Sequence, residues 1–208
     1  MNIFSQGKEQ EHILNFFGNE KDAFLDLGSN DGITLSNTHA LALLGWEGVA
    51  VEPSPEAFEL LQNNYLNNKK VHCINVAVSD KNSKDIFYDS GTHLNKGDVS
   101  LLSSLNKNET EKWRKSTIFT ETVVDVVDFK TLLNISPLRT FSFISIDIEG
   151  NDLMVLRQMN LTELGCKCIC IEHNSHPEIL NEIKSICAGY RLTKELLRNA
   201  ENVILGIH

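Results

Sequence analysis

The chain has 208 residues, 41% hydrophobic and 23% charged, which suits one soluble domain with a full core. Nineteen basic against twenty-eight acidic residues leave a net charge of −9, which opposes tight binding to a polyanion such as DNA or RNA. No run approaches the roughly 18 apolar residues of a membrane span, and the first residues lack the apolar core of a signal peptide, so a cytoplasmic protein is expected.

Along the chain, hydrophobic runs alternate with helical patterns, as a parallel sheet covered by helices requires. Residues 9–17 read as an amphipathic helix and 23–27 as a buried strand. The turn Gly28-Ser29-Asn30-Asp31-Gly32 follows, then a helix expected over 33–44 that stops at Gly45. A second strand, 49–52, ends in Glu52-Pro53. Ser54 and Pro55 are suited to open a helix carrying Phe58, Leu61 and Tyr65, and a third strand is expected over 71–78.

A strand, a glycine turn and a second strand ending in an acid form the nucleotide end of a doubly wound fold. Asn30 stands where a pyrophosphate-binding turn needs its second glycine, and Ile33 where it needs the third, which counts against an NAD-linked oxidoreductase. No Gly-Lys-Ser or Gly-Lys-Thr follows, so a P-loop fits worse. A ligand with a ribose and an amino-acid tail but no phosphate does fit, and S-adenosylmethionine (SAM) has that chemistry. Asp26 and the backbone around Gly28 and Ser29 would hold its methionine end, and Glu52 its ribose hydroxyls.

From 81 to 121 the pattern gives way to polar, Lys- and Asn-rich sequence, expected to be a lid or acceptor-binding insertion within the single domain 1–208. Regular structure resumes with a strand over 122–127 and a short helix over 128–133. A strong strand over 141–147 runs into Asp147-Ile148-Glu149-Gly150-Asn151-Asp152 and another helix. A strand over 168–172 ends in Glu172-His173-Asn174, a helix follows over 177–187, and short strands are expected over 190–193 and 203–207. About seven strands in one sheet result. Cys166, Cys168 and Cys170 alternate and should point to one side as reduced core thiols, since metal pairs usually come as Cys-x-x-Cys.

With these segments placed, the chain resembles the FkbM family of SAM-dependent methyltransferases over residues 24–156. The resemblance rests on 25–32, on Val51-Glu52-Pro53-Ser54-Pro55, on Asn75-Val76-Ala77-Val78-Ser79-Asp80, on Ser103-Ser104-Leu105, and on Ile144-Ser145-Ile146-Asp147-Ile148-Glu149-Gly150. It implies the α/β, Rossmann-like sheet of class I methyltransferases, seven-stranded and mostly parallel with a reversed last strand. It also implies O-methylation of a sugar, glycan or glycan precursor. It carries Asp26, Gly28, Asn30, Gly32 and Glu52, with Pro53 beside it, into the SAM site, and puts Ser79 and Asp80 near the adenine. The chain departs from the family at Ser145, where lysine is common, and at Asn151-Asp152, where a bulky residue and glutamate are common.

Methyl transfer to a hydroxyl needs a base near the methyl group. His173, Asp147 and Glu172 lie at the strand ends where one belongs, and His93 would join them only if the insertion folds over the site. The two acids with His173 would alternatively hold a divalent cation, Mg or Mn, although no dense metal-spacing motif marks one. The plainer reading makes Asp147 and Glu149 partners of the next helix's first turn and His173 an ordinary loop residue. N-methylation of an amine or phosphoramidate, or a SAM-binding domain without turnover, stays open, as does a homodimer or fusion to glycosyltransferase domains.

Overall fold

A computed structural model describes residues 2–92 and 99–208. The first half contains α1 (Glu9–Phe17), β1 (Ala23–Leu27), α2 (His39–Leu43), β2 (Glu47–Val51), α3 (Pro55–Asn64) and β3 (Val71–Ile74). A small excursion follows, with β4 (Ala77–Ser79), β5 (Ser83–Asp89), α4 (Lys107–Trp113), β6 (Thr120–Asp128) and α5 (Phe129–Ile135). The remainder is β7 (Phe143–Ile146), α6 (Asp152–Leu156), β8 (Cys168–Glu172), α7 (Pro177–Gly189), β9 (Lys194–Arg198) and β10 (Asn202–Gly206).

The main sheet has seven strands in the order β3-β2-β1-β7-β8-β10-β9. Its neighbours are parallel except at β10, which runs antiparallel to both β8 and β9. This is the α/β, doubly wound sheet with a reversed last strand. Strands buried on both faces read as continuous apolar runs, and each face has its own core. Leu25, Val49, Ile144, Ile169 and Val203 pack on the face that holds Val155 of α6 and Ile183 of α7. Phe24, Ala50, Phe143, Cys170 and Ile204 pack on the opposite face with Ile13 of α1, Leu41 of α2 and Leu61 of α3.

Several expectations change. The helix expected over 33–44 shrinks to α2, because side chains capture the backbone before it can wind. Asp31 Oδ1 accepts from the N–H groups of Ile33 and Thr34, and Ser36 Oγ from those of Thr38 and His39. The strand expected over 71–78 breaks in two, since the Asn75 amide donates to the Glu52 and Pro53 carbonyls and turns the chain off the main sheet. β4 and the strand around 122–127 instead join β5 in a separate three-stranded sheet ordered β4-β6-β5. β5 was hidden inside the polar insertion because only Phe87 of its apolar residues is buried, with Ala77, Val124 and Val126. The strand expected over 190–193 begins later, at Lys194. Cys166 leaves the Cys168 and Cys170 side and packs in the opposite core, because β8 and its alternation start only at Cys168. All five cysteines are free thiols.

Candidate active site

At the carboxyl end of β1 the chain turns through Gly28, whose φ is +84°. A Cβ there would lie 1.8 Å from the carbonyl oxygen of Asp147, so only glycine lets the turn pass the end of β7. The N–H groups of Gly28 and Ser29 both donate to the Val51 carbonyl. Ser29 Oγ donates to the Asp26 carbonyl and accepts from the Val51 N–H, which ties the turn to both strands. Asn30 takes a left-handed conformation, φ 49°, that asparagine tolerates. Its N–H donates to Glu52 Oε2 at 2.9 Å, while the Ser54 N–H donates to Oε1 at 2.8 Å.

A cavity of about 540 Å³ opens over these strand ends, within the range for small-molecule sites. Of the residues expected from sequence, Gly28, Asn30, Glu52, Pro53, Asp147 and Glu172 line it. Asp26, Ser29 and Gly32 lie behind that wall. Asp26 Oδ2 accepts from Thr38 Oγ1 at 2.6 Å, so its carboxylate is turned toward the start of α2. Gly32 is pressed against α3, where a Cβ would come within 2.6 Å of both Leu61 and Tyr65. Ser79 and Asp80 also lie outside the wall, and Val76, Ala77 and Val78 take their place.

His173 lies off the cavity wall. Its ring is 5% exposed, does not line the cavity, and has no hydrogen-bond partner at either nitrogen. Burial lowers its pKa, so the ring stays neutral. Its N–H donates to the Glu201 carbonyl. His93 lies outside the described residues.

Asp147 and Glu172 do come together. Asp26 pairs with Ser145 and Ser145 with Cys170, so two residues further on Asp147 reaches Glu172 on the same face of the sheet. Asp152 joins them: its Oδ1 accepts from the Ile148 N–H and its Oδ2 from the Gly150 N–H. Burial first, then repulsion from neighbouring carboxylates, Asp152 foremost for Asp147 and Asp147 foremost for Glu172, raises both pKa values. For Asp152 burial also wins, against the hydrogen bonds that pull its pKa down.

The insertion supplies the outer wall. Leu101, Leu102, Ser103 and Leu105 line the cavity, with Lys112 and Trp113 from α4. Asp89 at the end of β5 fastens this stretch. Its Oδ1 accepts from Ser100 Oγ at 2.7 Å and from the Gly91 N–H, and its Oδ2 accepts from Ser54 Oγ at 2.7 Å. Asn30 donates its side-chain amide to the Val99 carbonyl at 2.6 Å, and Ser104 Oγ donates to the Glu149 carbonyl. The Ser103-Ser104-Leu105 motif therefore belongs to the site wall. Asp152, Asn202, Asn174 and His176 also face or frame the cavity, although sequence reasoning had given them no role in the site. Asn202 carried only one signal: a polar residue opening an otherwise apolar strand.

A scan of family models matches the methyltransferase FkbM domain over residues 26–192. A search of curated proteins returned no match. Among solved structures, the chain is similar to methyltransferase FkbM from Methylobacillus flagellatus KT, with 13% identity and a TM-score of 0.56 over 89% of this chain and 43% of that one. It is also similar to the METTL16 MTase domain, with 12% identity and a TM-score of 0.50 over 94% of this chain and 64% of that one. The ribosomal protein L11 methylase from Lactobacillus delbrueckii subsp. bulgaricus gives 14% identity and a TM-score of 0.50, over 97% and 78%. These likenesses show the fold, and this chain spans less than two thirds of the first two structures. The family model covers most of the sequence, including both strand-end carboxylates, and on that ground the chain belongs to the FkbM family of methyltransferases.

Proposed function

We propose that this chain transfers the methyl group of SAM to a hydroxyl of a sugar, glycan or glycan precursor. The observation that carries the reading is one cavity that joins the phosphate-free glycine turn and Glu52 to the Asp147–Glu172 pair. The ribose hydroxyls would donate to Glu52, the methionine end would lie over Gly28, and the adenine would pack on Val76, Ala77 and Val78. Trp113 and Leu102 would hold the acceptor. As the acceptor oxygen bonds to the methyl carbon, the C–S electron pair returns to sulfur and leaves S-adenosylhomocysteine. The hydroxyl proton would go to Asp147, whose pKa, raised to about 7, leaves it partly ionised near neutral pH and a stronger base than an ordinary carboxylate, while Glu172, pushed up to about 11, would orient the acceptor. Alignment of the two reactants supplies on the order of several kcal/mol, and the insertion's Leu101, Leu102 and Leu105 would keep water from the sulfonium.

Methyl transfer to an amine is the second reading, favoured by the same carboxylates, which attract a cationic acceptor. Titrating the protein with S-adenosylhomocysteine by calorimetry, with NAD for comparison, tests the cofactor assignment. Binding of the former at micromolar concentration, no NAD binding, and a loss of roughly tenfold or more in Glu52→Ala are expected. NAD binding, or unchanged affinity in Glu52→Ala, would overturn it.

A further inference from the structure

Glu172 and Asn202 face each other across the β8–β10 ladder, so their side chains share one face of the sheet. Both line the cavity and are 9% and 5% exposed. Neither side chain has a hydrogen-bond partner among the described residues. Both side chains open onto the cavity, where a ligand can reach them. Beside them, one carboxylate oxygen from each of Asp147, Asp152 and Glu172 lies within 4.8 Å of the others. Oxygen ligands about 2.0–2.6 Å from an ion fall within such a separation, so one ion can touch all three.

We infer that Asp147, Asp152, Glu172 and the side-chain carbonyl of Asn202 form a site for a hard divalent cation of the Mg²⁺ or Mn²⁺ kind. The donors are all oxygens, which disfavours the softer metals that take thiolate or imidazole. Backbone N–H groups already fix Asp152, so the cluster is partly organised before an ion arrives. Four protein ligands at most leave coordination positions for water and an acceptor oxygen. What the ion would do there, orienting the hydroxyl and lowering its pKa, rests on the methyltransferase reading. Its binding does not.

The test is a Mn²⁺ titration of the whole purified protein without SAM, followed by the electron-paramagnetic-resonance signal of free Mn²⁺. One bound ion is expected, with a Kd on the order of 0.1 mM or below. Glu172→Gln and Asn202→Leu should each weaken binding by roughly tenfold or more. Asn202→Asp keeps an oxygen in place and should retain the ion, as should Asp125→Asn on the exposed face of β6. Calorimetry with S-adenosylhomocysteine on the same samples separates the failures. A protein that binds S-adenosylhomocysteine but no Mn²⁺ overturns the metal site alone, and one that binds neither removes the cofactor reading too. Direct competition between the two ligands would put the cofactor's ammonium on these carboxylates and would also overturn the metal assignment.

Discussion

Glu52 is held in its place at a cost that can be read against pH. Its carboxyl is buried, and desolvation pushes its pKa up to about 8 against the opposing pull of the Ser54 and Asn30 N–H groups. An unfolded glutamate ionises near 4.5, so the folded state holds its proton more tightly. Stability from this residue is therefore full below about pH 4.5, falls as pH rises to about 8, and then levels off, a loss on the order of several kcal/mol. Glu52→Gln cannot ionise. It sacrifices one N–H acceptor, a cost of about 1–2 kcal/mol independent of pH, but melting curves from pH 5 to 9 should show its deficit shrinking or reversing as the parent weakens. Parallel curves for the two proteins would show that Glu52 is not the titrating group. In the proposed site the ribose hydroxyls would donate to the ionised carboxylate, so S-adenosylhomocysteine should bind the parent more tightly as pH rises over the same range. Sequence located this acid because it ends a strand. It could not locate the acceptor role of each oxygen, because the donors at Asn30 and Ser54 come from different loops.

The insertion between β4 and β6 is the element least readable in advance. Polar residues in the sequence suggested a loop, yet Asp89 gathers Ser54, Ser100 and Ser103 into a buried cluster that seats residues 99–105 against the nucleotide end. Such satisfaction through side chains leaves no periodic pattern. Asp89→Ala should orphan these hydroxyls and cost about 1–3 kcal/mol. Amide exchange should accelerate across 99–105 while β1, β2 and β7 keep their protection, and affinity for S-adenosylhomocysteine should fall. Unchanged exchange in that stretch would mean that Asn30 and Ser104 suffice to hold the wall. The main strands, by contrast, were legible: β1 and β8 begin and end where the apolar runs do, because strands covered on both faces need no polar alternation. His173 shows the limit of that reading. A histidine one residue past a strand was placed correctly in the chain, but its ring direction depends on the Glu201 turn it pairs with.

Over the whole molecule, charge bears on the choice of acceptor. The net charge is −9, and Glu52, Asp147 and Glu172, at the carboxyl ends of β2, β7 and β8, converge on the same cavity. At about 0.15 M salt such a surface repels a polyanion near contact, so tRNA should not be retained in filter binding, whereas a neutral glycan meets no such barrier. Tight RNA binding that weakens steeply with salt would move the acceptor to nucleic acid. No helix among the described residues is long and apolar enough to cross a membrane. The reversed strand also bears on the order of assembly. β9 is the edge strand and pairs in the ladder with β10 among the described residues, and β10 is translated after it but must slide in between β9 and β8. Until that insertion, β8 keeps a bare edge open to other chains, and Asn202 is absent from the cavity. The ribosome therefore releases the β1–β3 half of the sheet first and the β8–β10 half last, so the pocket becomes whole only with the final strand of the sheet.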